Sequence, residues 1–428
     1  MSNANHTNRT LQARNPRTGE MDYSFEVTDE KEIISVVADL RKNQPAWSAM
    51  SLQERAEILS DWADAVSSSD ELLQALVKDT GRYFISSAEL GRLSTMVKDW
   101  LKIGETIFAE QIAKQSSAPT VTYKHQLVPF EVVGVIGPWN FPFLITLIDL
   151  VPALMAGSAV VVKPSEITPR FIAPLQKILQ QVPALNAVCR FIQGDGKTGQ
   201  DLIKHVDALC FTGSVKTGKI VYQTGAENFI PIYAELGGKD PVIITENADP
   251  KDTAKIVLRA SVQATGQACQ SIERVYIHSS IAETFTSELV RLSDQVKINY
   301  PDIYEGHIGP LIFDKQADII RSHLKDAEEK GELCIDTETT SLNPHLAELV
   351  GISLSTGIGK ACYIPIKHNG KDILNTNKVI QKIKPILEDK SIKKIGQNIK
   401  FDYIIFFHRG IKMNSMEDTM LMSYVLDA

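Results

Sequence analysis

Between residues 30 and 113, apolar positions recur at three- and four-residue intervals in the segments 30–45, 51–78 and 83–113, with Ile58, Leu59, Trp62 and Val66 on one face. Stripes of this period predict amphipathic helices. Ahead of them, residues 10–25 read as short extended pieces around a PRTGE turn. After them, alternation in TVTYKHQLVPF, between Thr120 and Phe130, predicts a strand. From Glu131 the pattern changes. The apolar runs VVGVIGPW, AVVVKP, AVCRFIQG and ALCFTGS alternate with helical segments over 143–156, from Pro169 and from Lys197. That alternation predicts a parallel sheet covered by helices, in which ligands bind beyond the carboxyl ends of the strands.

A chain of 428 residues has room for two or three domains. With 43% hydrophobic and 23% charged residues, it has the balance of a globular protein and not of a disordered one. The polar opening MSNANHTNRTLQARNPRTGE has no apolar core of a signal peptide, and no apolar run reaches the length of a membrane span. Five scattered cysteines (Cys189, Cys210, Cys269, Cys334, Cys362) show neither zinc spacing nor a disulfide framework, so a cytoplasmic location is expected. The net charge of −7 belongs to the first part, because from Glu332 onward 12 Lys and Arg face 11 Asp and Glu. No basic patch argues for nucleic acid.

Candidate chemistry centres on ELGGKD at 235–240 and GQACQSIERV at 266–275. A free thiol with a pKa near ~8.5 is mostly protonated at neutral pH, so a nucleophilic Cys269 needs an activating neighbour, and Glu235 is a candidate base. Gly237, Gly238 and Gly266 permit close approach of a ligand. The bland alternative is that Cys269 is a small buried apolar residue. Asn140 in GPWNFP carries amide donors suited to an oxyanion, although Asn beside proline is more often a turn residue. Lys163 and Glu166, three apart after a strand, are either a solvated pair or a carboxylate placed to accept two ribose hydroxyls. In FTGSVKTGK, Gly213, Ser214 and Gly218 open a helix whose N–H groups suit a phosphate. Ile220 stands where a P-loop requires Ser or Thr, which argues against ATP. GDGKTG at 194–199 matches the dinucleotide spacing only formally and reads as a loop.

ELGGKDPVII followed by GQACQSIERVYIH resembles the catalytic segment of the aldehyde dehydrogenase superfamily. The resemblance implies an α/β fold with a Rossmann-like NAD-binding parallel sheet behind a helical N-terminal segment. It makes Cys269 the nucleophile and Glu235 the general base, with Asn140 and the Cys269 N–H as oxyanion hole. Trp139, Lys163, Ser165, Glu166, Phe211, Thr212, Gly213, Ser214, Gly218, Leu236 and Gly237 inherit cofactor contacts. A glutamate at 166 favours NAD over NADP. The substrate is then a small-molecule aldehyde, oxidised through a thiohemiacetal and a thioester that Glu235-activated water hydrolyses, in a soluble homo-oligomer.

This resemblance runs to about Gly331. In place of the family's EIFGP-type segment comes LCIDTETTSLNP. Asp336 and Glu338, two apart on an expected strand, point to one side, and paired carboxylates suit hard cations. In GQNIKFD, Asn398 and Asp402 are four apart and read as one face of a helix. DTETTSL, GQNIKFD and EDTMLMSYVLDA together resemble the 3′–5′ exonuclease domain of bacterial family A DNA polymerases, a ribonuclease H-like α/β fold. That resemblance makes Asp336, Glu338 and Asp402 ligands of Mg2+ or Mn2+, and Leu342 and Asn398 contacts of a single-stranded DNA 3′ end. The expected organisation is 1–331 and 332–428, both incomplete against their families and joined without a linker. A chimeric reading frame, active in either part or silent, is the corresponding expectation.

Overall fold

The computed structural model describes residues 9–109, 113–329, 331–357, 360–368 and 371–426. It divides into two compact units, Met1–Asp314 and Lys315–Ala428.

The first unit opens with an antiparallel hairpin, β1 (Thr10–Arg14) and β2 (Met21–Glu26), around the expected turn. Helices α1 (Glu30–Ser48) and α2 (Leu52–Ser67) each start on a capping box, Asp29 with Glu32 and Ser51 with Glu54. The helix expected across 51–78 is two. Ser69 caps α3 (Asp70–Thr80), its hydroxyl accepting the Leu72 N–H at 3.2 Å, because a short polar side chain satisfies the first turn better than a continued helix does. Helix α4 (Tyr83–Ile107) follows and ends before 113.

The strand expected over Thr120–Phe130 is confined to β4 (Thr122–Tyr123), paired with β3 (Lys114–Gln115). Among the described residues no strand extends that ladder. Without a partner for its backbone groups, the alternation leaves Leu127, Val128 and Phe130 on the surface.

The alternating pattern from Glu131 forms the expected sheet. It comprises β5 (Val132–Ile136), α5 (Leu144–Ala156), β6 (Ala159–Lys163), α6 (Ile172–Gln180), α7 (Pro183–Asn186), β7 (Cys189–Phe191), α8 (Gly196–Ile203), β8 (Ala208–Thr212), α9 (Val215–Glu227) and β9 (Ile232–Glu235). The strand order is β7-β6-β5-β8-β9, every pair parallel. Every residue of β5 and β6 is buried, as expected of strands covered on both faces. Each buried Val or Ile contributes roughly 1.5–3 kcal/mol. Leu40, Trp47, Leu59, Trp62 and Leu93 of the N-terminal helices join these strands in one core. GDGKTG is not wholly a loop. Asp195 accepts the Lys197 N–H at 3.0 Å and starts α8 at Gly196. The strand order reverses between β5 and β8, which places the ligand crevice at their carboxyl ends.

Two further strands, β10 (Asp240–Ile244) and β11 (Ile272–Ile277), pair in parallel across α10 (Pro250–Val262). With α11 (Ser279–Ser293) they enclose a small core of Ile244, Ala254, Val257 and Phe285.

The second unit contains α12 (Lys315–Glu329), β12 (Glu332–Thr339), β13 (Leu349–Gly357), β14 (Lys360–Pro365), the short pair β15 (Lys367–His368) and β16 (Lys371–Asp372), then α13 (Thr376–Glu388), β17 (Lys393–Gly396), α14 (Ile399–Phe407), β18 (Met416–Asp418) and α15 (Thr419–Leu426). Its sheet runs β14-β13-β12-β17-β18, antiparallel on the β13 side of β12 and parallel on the β17 side. Along β12, Leu333, Ile335 and Thr337 are buried while Asp336 and Glu338 share the open face, as their spacing requires. No helix of the described residues is long and apolar enough to cross a membrane.

Candidate functional site

In the first unit the two central motifs, thirty residues apart in sequence, fold against each other. Asp240 pairs with Ile272 in the β10/β11 ladder. Arg274 donates to the Lys239 carbonyl through Nη2 (2.6 Å) and Nε (3.1 Å), and Lys239 Nζ meets Glu273 at 2.8 Å. Gly238 lies so close to the Cys269 carbonyl that a Cβ there would collide with it. Cys269 is exposed, whereas Cys189 is buried and Cys210 half-buried. Burial pushes both of those thiols up to about 12, the Asp149 charge adding to the effect at Cys210.

The approach to Cys269 is a left-handed turn in which Ala264, Thr265 and Gly266 have φ of 54°, 62° and 69°. A β-branched residue there is strained, and surrounding bonds hold it. Thr265 Oγ1 donates to the Gly309 carbonyl (2.9 Å) and accepts the Gly309 N–H (3.1 Å). Gln267 Nε2 donates to Ala264 O and Pro310 O, and its Oε1 accepts the Ile312 N–H at 2.9 Å. The bonds of Thr265 to Gly309 and of Gln267 to Pro310 and Ile312 join residues more than forty apart, which no local pattern reveals.

Asn140 follows β5 and reaches the same turn, Nδ2 donating to the Gln267 carbonyl at 2.7 Å. Its own carbonyl accepts from Arg82. Glu235 ends β9, and in register with Thr212 it sits beside the loop after β8, where Gly213 N–H donates to its carbonyl at 3.1 Å. Thus Asn140, after β5, is tied to the segment that leads into Cys269 and β11, and Glu235 is the last residue of β9.

Lys163 closes β6 with its ammonium buried, donating to Pro164 O (2.8 Å) and Gly194 O (2.9 Å) and lying 3.6 Å from Glu166. Desolvation lowers its pKa, partly offset by Glu166. The Glu166 side chain is 37% exposed, which leaves an acceptor free for a diol. Ser165 is nearly buried, its Oγ accepting the Ile167 N–H at 3.3 Å. Ser214 caps α9 by accepting the Thr217 N–H at 3.2 Å. Leu236 packs so closely on Gly218 that a Cβ there would lie 2.6 Å from its side chain. Phe211 and Thr212 end β8 just before this turn, Gly237 follows Leu236, and the Trp139 ring lies 6.0 Å from that of Phe313. A close-packed glycine turn at a helix start, with a carboxylate beside a buried ammonium, is a donor set that fits an adenine dinucleotide.

Asp149 is half-buried on α5. Burial first, then the Glu235 charge, raises its pKa from 3.8 to about 6. Because the folded value exceeds the unfolded one, the native state binds the extra proton, and stability falls as pH rises from about 4 through about 6. Asp149→Asn is therefore expected to raise the melting temperature at pH 7.5 by roughly 2–4 °C and to give no gain at pH 3.5, as thermal melts at both pH values will read.

In the second unit one open cavity of about 460 Å3 is lined by Asp336, Glu338, Leu342, Asn398 and Asp402, all five residues singled out in the sequence. Asn398 is not on the helix with Asp402. It precedes α14 in a left-handed conformation (φ 55°), its N–H donating to Asp418 at 2.9 Å. Asp402 is buried, and its Oδ1 accepts from the Thr337 N–H (2.8 Å) and hydroxyl (2.5 Å). Burial raises its pKa to about 6, with the Asp336 charge adding to the effect. Carboxylates are suitable ligands for a hard divalent ion, but among the described residues no three His, Cys, Asp or Glu are assembled to hold one. Thr337 occupies Oδ1 of Asp402.

The aldehyde dehydrogenase family model matches residues 3–347, and a 3′–5′ exonuclease model matches residues 313–428. Among solved structures, an aldehyde dehydrogenase PutA from Anabaena variabilis is 33% identical with a TM-score of 0.73, over 97% of this chain and 90% of that one. A betaine aldehyde dehydrogenase from Staphylococcus aureus in complex with NAD+ is 25% identical with a TM-score of 0.70, over 77% of this chain and 66% of that one. An aldehyde dehydrogenase from Burkholderia cenocepacia is 28% identical with a TM-score of 0.70, over 77% and 69%. Since the first match takes in most of the sequence and both of the motifs that fold together around Cys269, the chain belongs to the aldehyde dehydrogenase family, oxidoreductases acting on aldehydes.

Proposed function

We propose that the first unit oxidises an aldehyde to a carboxylic acid with NAD as acceptor. The observation that carries this reading is the packing of Gly238 on the Cys269 carbonyl while Asn140 bonds Gln267, two residues before the thiol. Cys269 Sγ adds as thiolate to the aldehyde carbonyl. The oxyanion then falls to Asn140 Nδ2 and the Cys269 N–H. Lys163, Glu166 and the Phe211–Gly218 turn would hold NAD, which would supply a hydride acceptor beside Cys269. Glu235 takes the proton of the water that hydrolyses the thioester. NAD is favoured over NADP because the Glu166 carboxylate repels a 2′-phosphate, and the NAD+ complex of the Staphylococcus aureus protein supports the same choice. Absorbance at 340 nm, followed with a panel of aldehydes and either cofactor, tests the proposal. No NADH from any aldehyde sinks it.

A second reading concerns residues 332–428 and rests on the cavity that gathers Asp336, Glu338, Leu342, Asn398 and Asp402. We infer an exonuclease-type portion that takes a single-stranded 3′ end. The expected outcome, assayed with Mg2+ in the buffer, is shortening of a 5′-labelled DNA strand from its 3′ end, lost in Asp336→Ala. No shortening by pure protein refutes it. The two portions are proposed to meet at Gly331 and Glu332, within the 313–347 overlap of the two family matches. A peptide spanning residues 326–335, released by cleavage before aspartate in native material, is the expected sign of one fused chain.

A further inference from the structure

We infer that Arg82 and Glu89 form a buried clamp that positions the Asn140 loop, an inference that rests on the aldehyde-oxidation reading. Arg82 is the N-cap residue of α4 and Glu89 lies two turns along it, and they are only 3% and 2% exposed. Neither is explained by the helix itself. Arg82 Nη2 donates to the Asn140 carbonyl, and its guanidinium stands 5.2 Å over the Phe141 ring. Glu89 Oε2 accepts the N–H groups of Phe143 (3.2 Å) and Leu144 (2.9 Å), the free donors at the start of α5.

The clamp thus grips both ends of the five-residue turn that carries the amide donor. A guanidinium acts at one end and, at the other, a carboxyl that burial raises to about 7, and each partly offsets the other's desolvation. Burying two such groups is costly, and the hydrogen bonds they make go to loop backbone, with Arg82 Nε and Nη1 and Glu89 Oε1 left without a partner. Neither residue reaches Cys269 in this arrangement. Both are positioning residues whose effect passes through Asn140.

The test compares the full-length protein with Arg82→Met, Arg82→Lys and Glu89→Gln, reading kcat and KM separately and hydrogen exchange by peptide. Misplacing a reacting group by about 1 Å costs roughly 10^2-fold, so Arg82→Met is expected to lower kcat by about that factor with KM within about threefold. Arg82→Lys, which keeps a donor, is expected to recover most of it. Glu89→Gln keeps the shape and removes the charge, with an expected loss of about tenfold, and carries the comparison if Arg82→Met does not fold. Exchange is expected to quicken over 138–147 and stay unchanged over 90–107. A kcat within twofold of wild type in both Arg82→Met and Glu89→Gln overturns the clamp. If the wild type itself oxidises no aldehyde, the functional reading falls on its own. In that case faster exchange confined to 138–147 supports the clamp, and unchanged exchange there overturns it.

Discussion

Cys269→Ala is expected to abolish aldehyde-dependent NADH formation, with a loss of at least ~10^4-fold, or about 5.4 kcal/mol of transition-state stabilisation. No other cysteine of the first unit can replace it. Cys189 and Cys210 are held at about 12 by burial, which leaves almost no thiolate at neutral pH. Cys210→Ala is accordingly expected to leave the rate unchanged, and iodoacetamide at pH 7.5 is expected to label Cys269 ahead of both. Retention of activity in Cys269→Ala, or equal labelling of Cys210, would remove the thiol from the mechanism.

Asn140→Ala is expected to lower kcat by ~10^2- to 10^3-fold with little change in the KM for aldehyde, as removal of one oxyanion donor does elsewhere. The same side chain bonds the Gln267 carbonyl at 2.7 Å, so the substitution also removes a structural bond contributing about 0.5–1.5 kcal/mol. Asn140→Asp separates the two effects. It keeps the shape and places negative charge where the oxyanion forms, so its kcat is expected to fall at least as far as that of Asn140→Ala. Steady-state kinetics over a range of aldehyde concentrations checks both variants. A rise in KM at unchanged kcat would make Asn140 a binding residue only.

Several features were legible because they depend on near neighbours in sequence. Short apolar runs separated by helical segments gave β5 to β8 and the helices between them, since a strand buried on both faces must be apolar throughout. A spacing of two put Asp336 and Glu338 on one side of β12, since successive side chains alternate across a strand. The break at Ser69 is also local, yet the apolar stripe over 51–78 reads as one helix, and the cap hydrogen bond is what divides it.

What sequence could not reveal depends on partners far along the chain. TVTYKHQLVPF alternates like a strand, yet pairing stops at Tyr123 because a ladder needs a neighbour that periodicity does not supply. Glu89 sits among the buried positions Ser86, Leu90 and Leu93 of α4, so a charge on an apolar stripe was a readable signal, but not what it was for. Arg82 gave less: its partner is 58 residues away, and only the packing of α4 under the loop after β5 makes a surface-type residue into a buried support. The motifs around Glu235 and Cys269 identified the family by themselves, because the chemistry constrains residue type at fixed local spacing. The tertiary structure alone decided what holds Asn140 against their turn, because desolvation and long-range hydrogen bonds exist only once distant segments have been brought together.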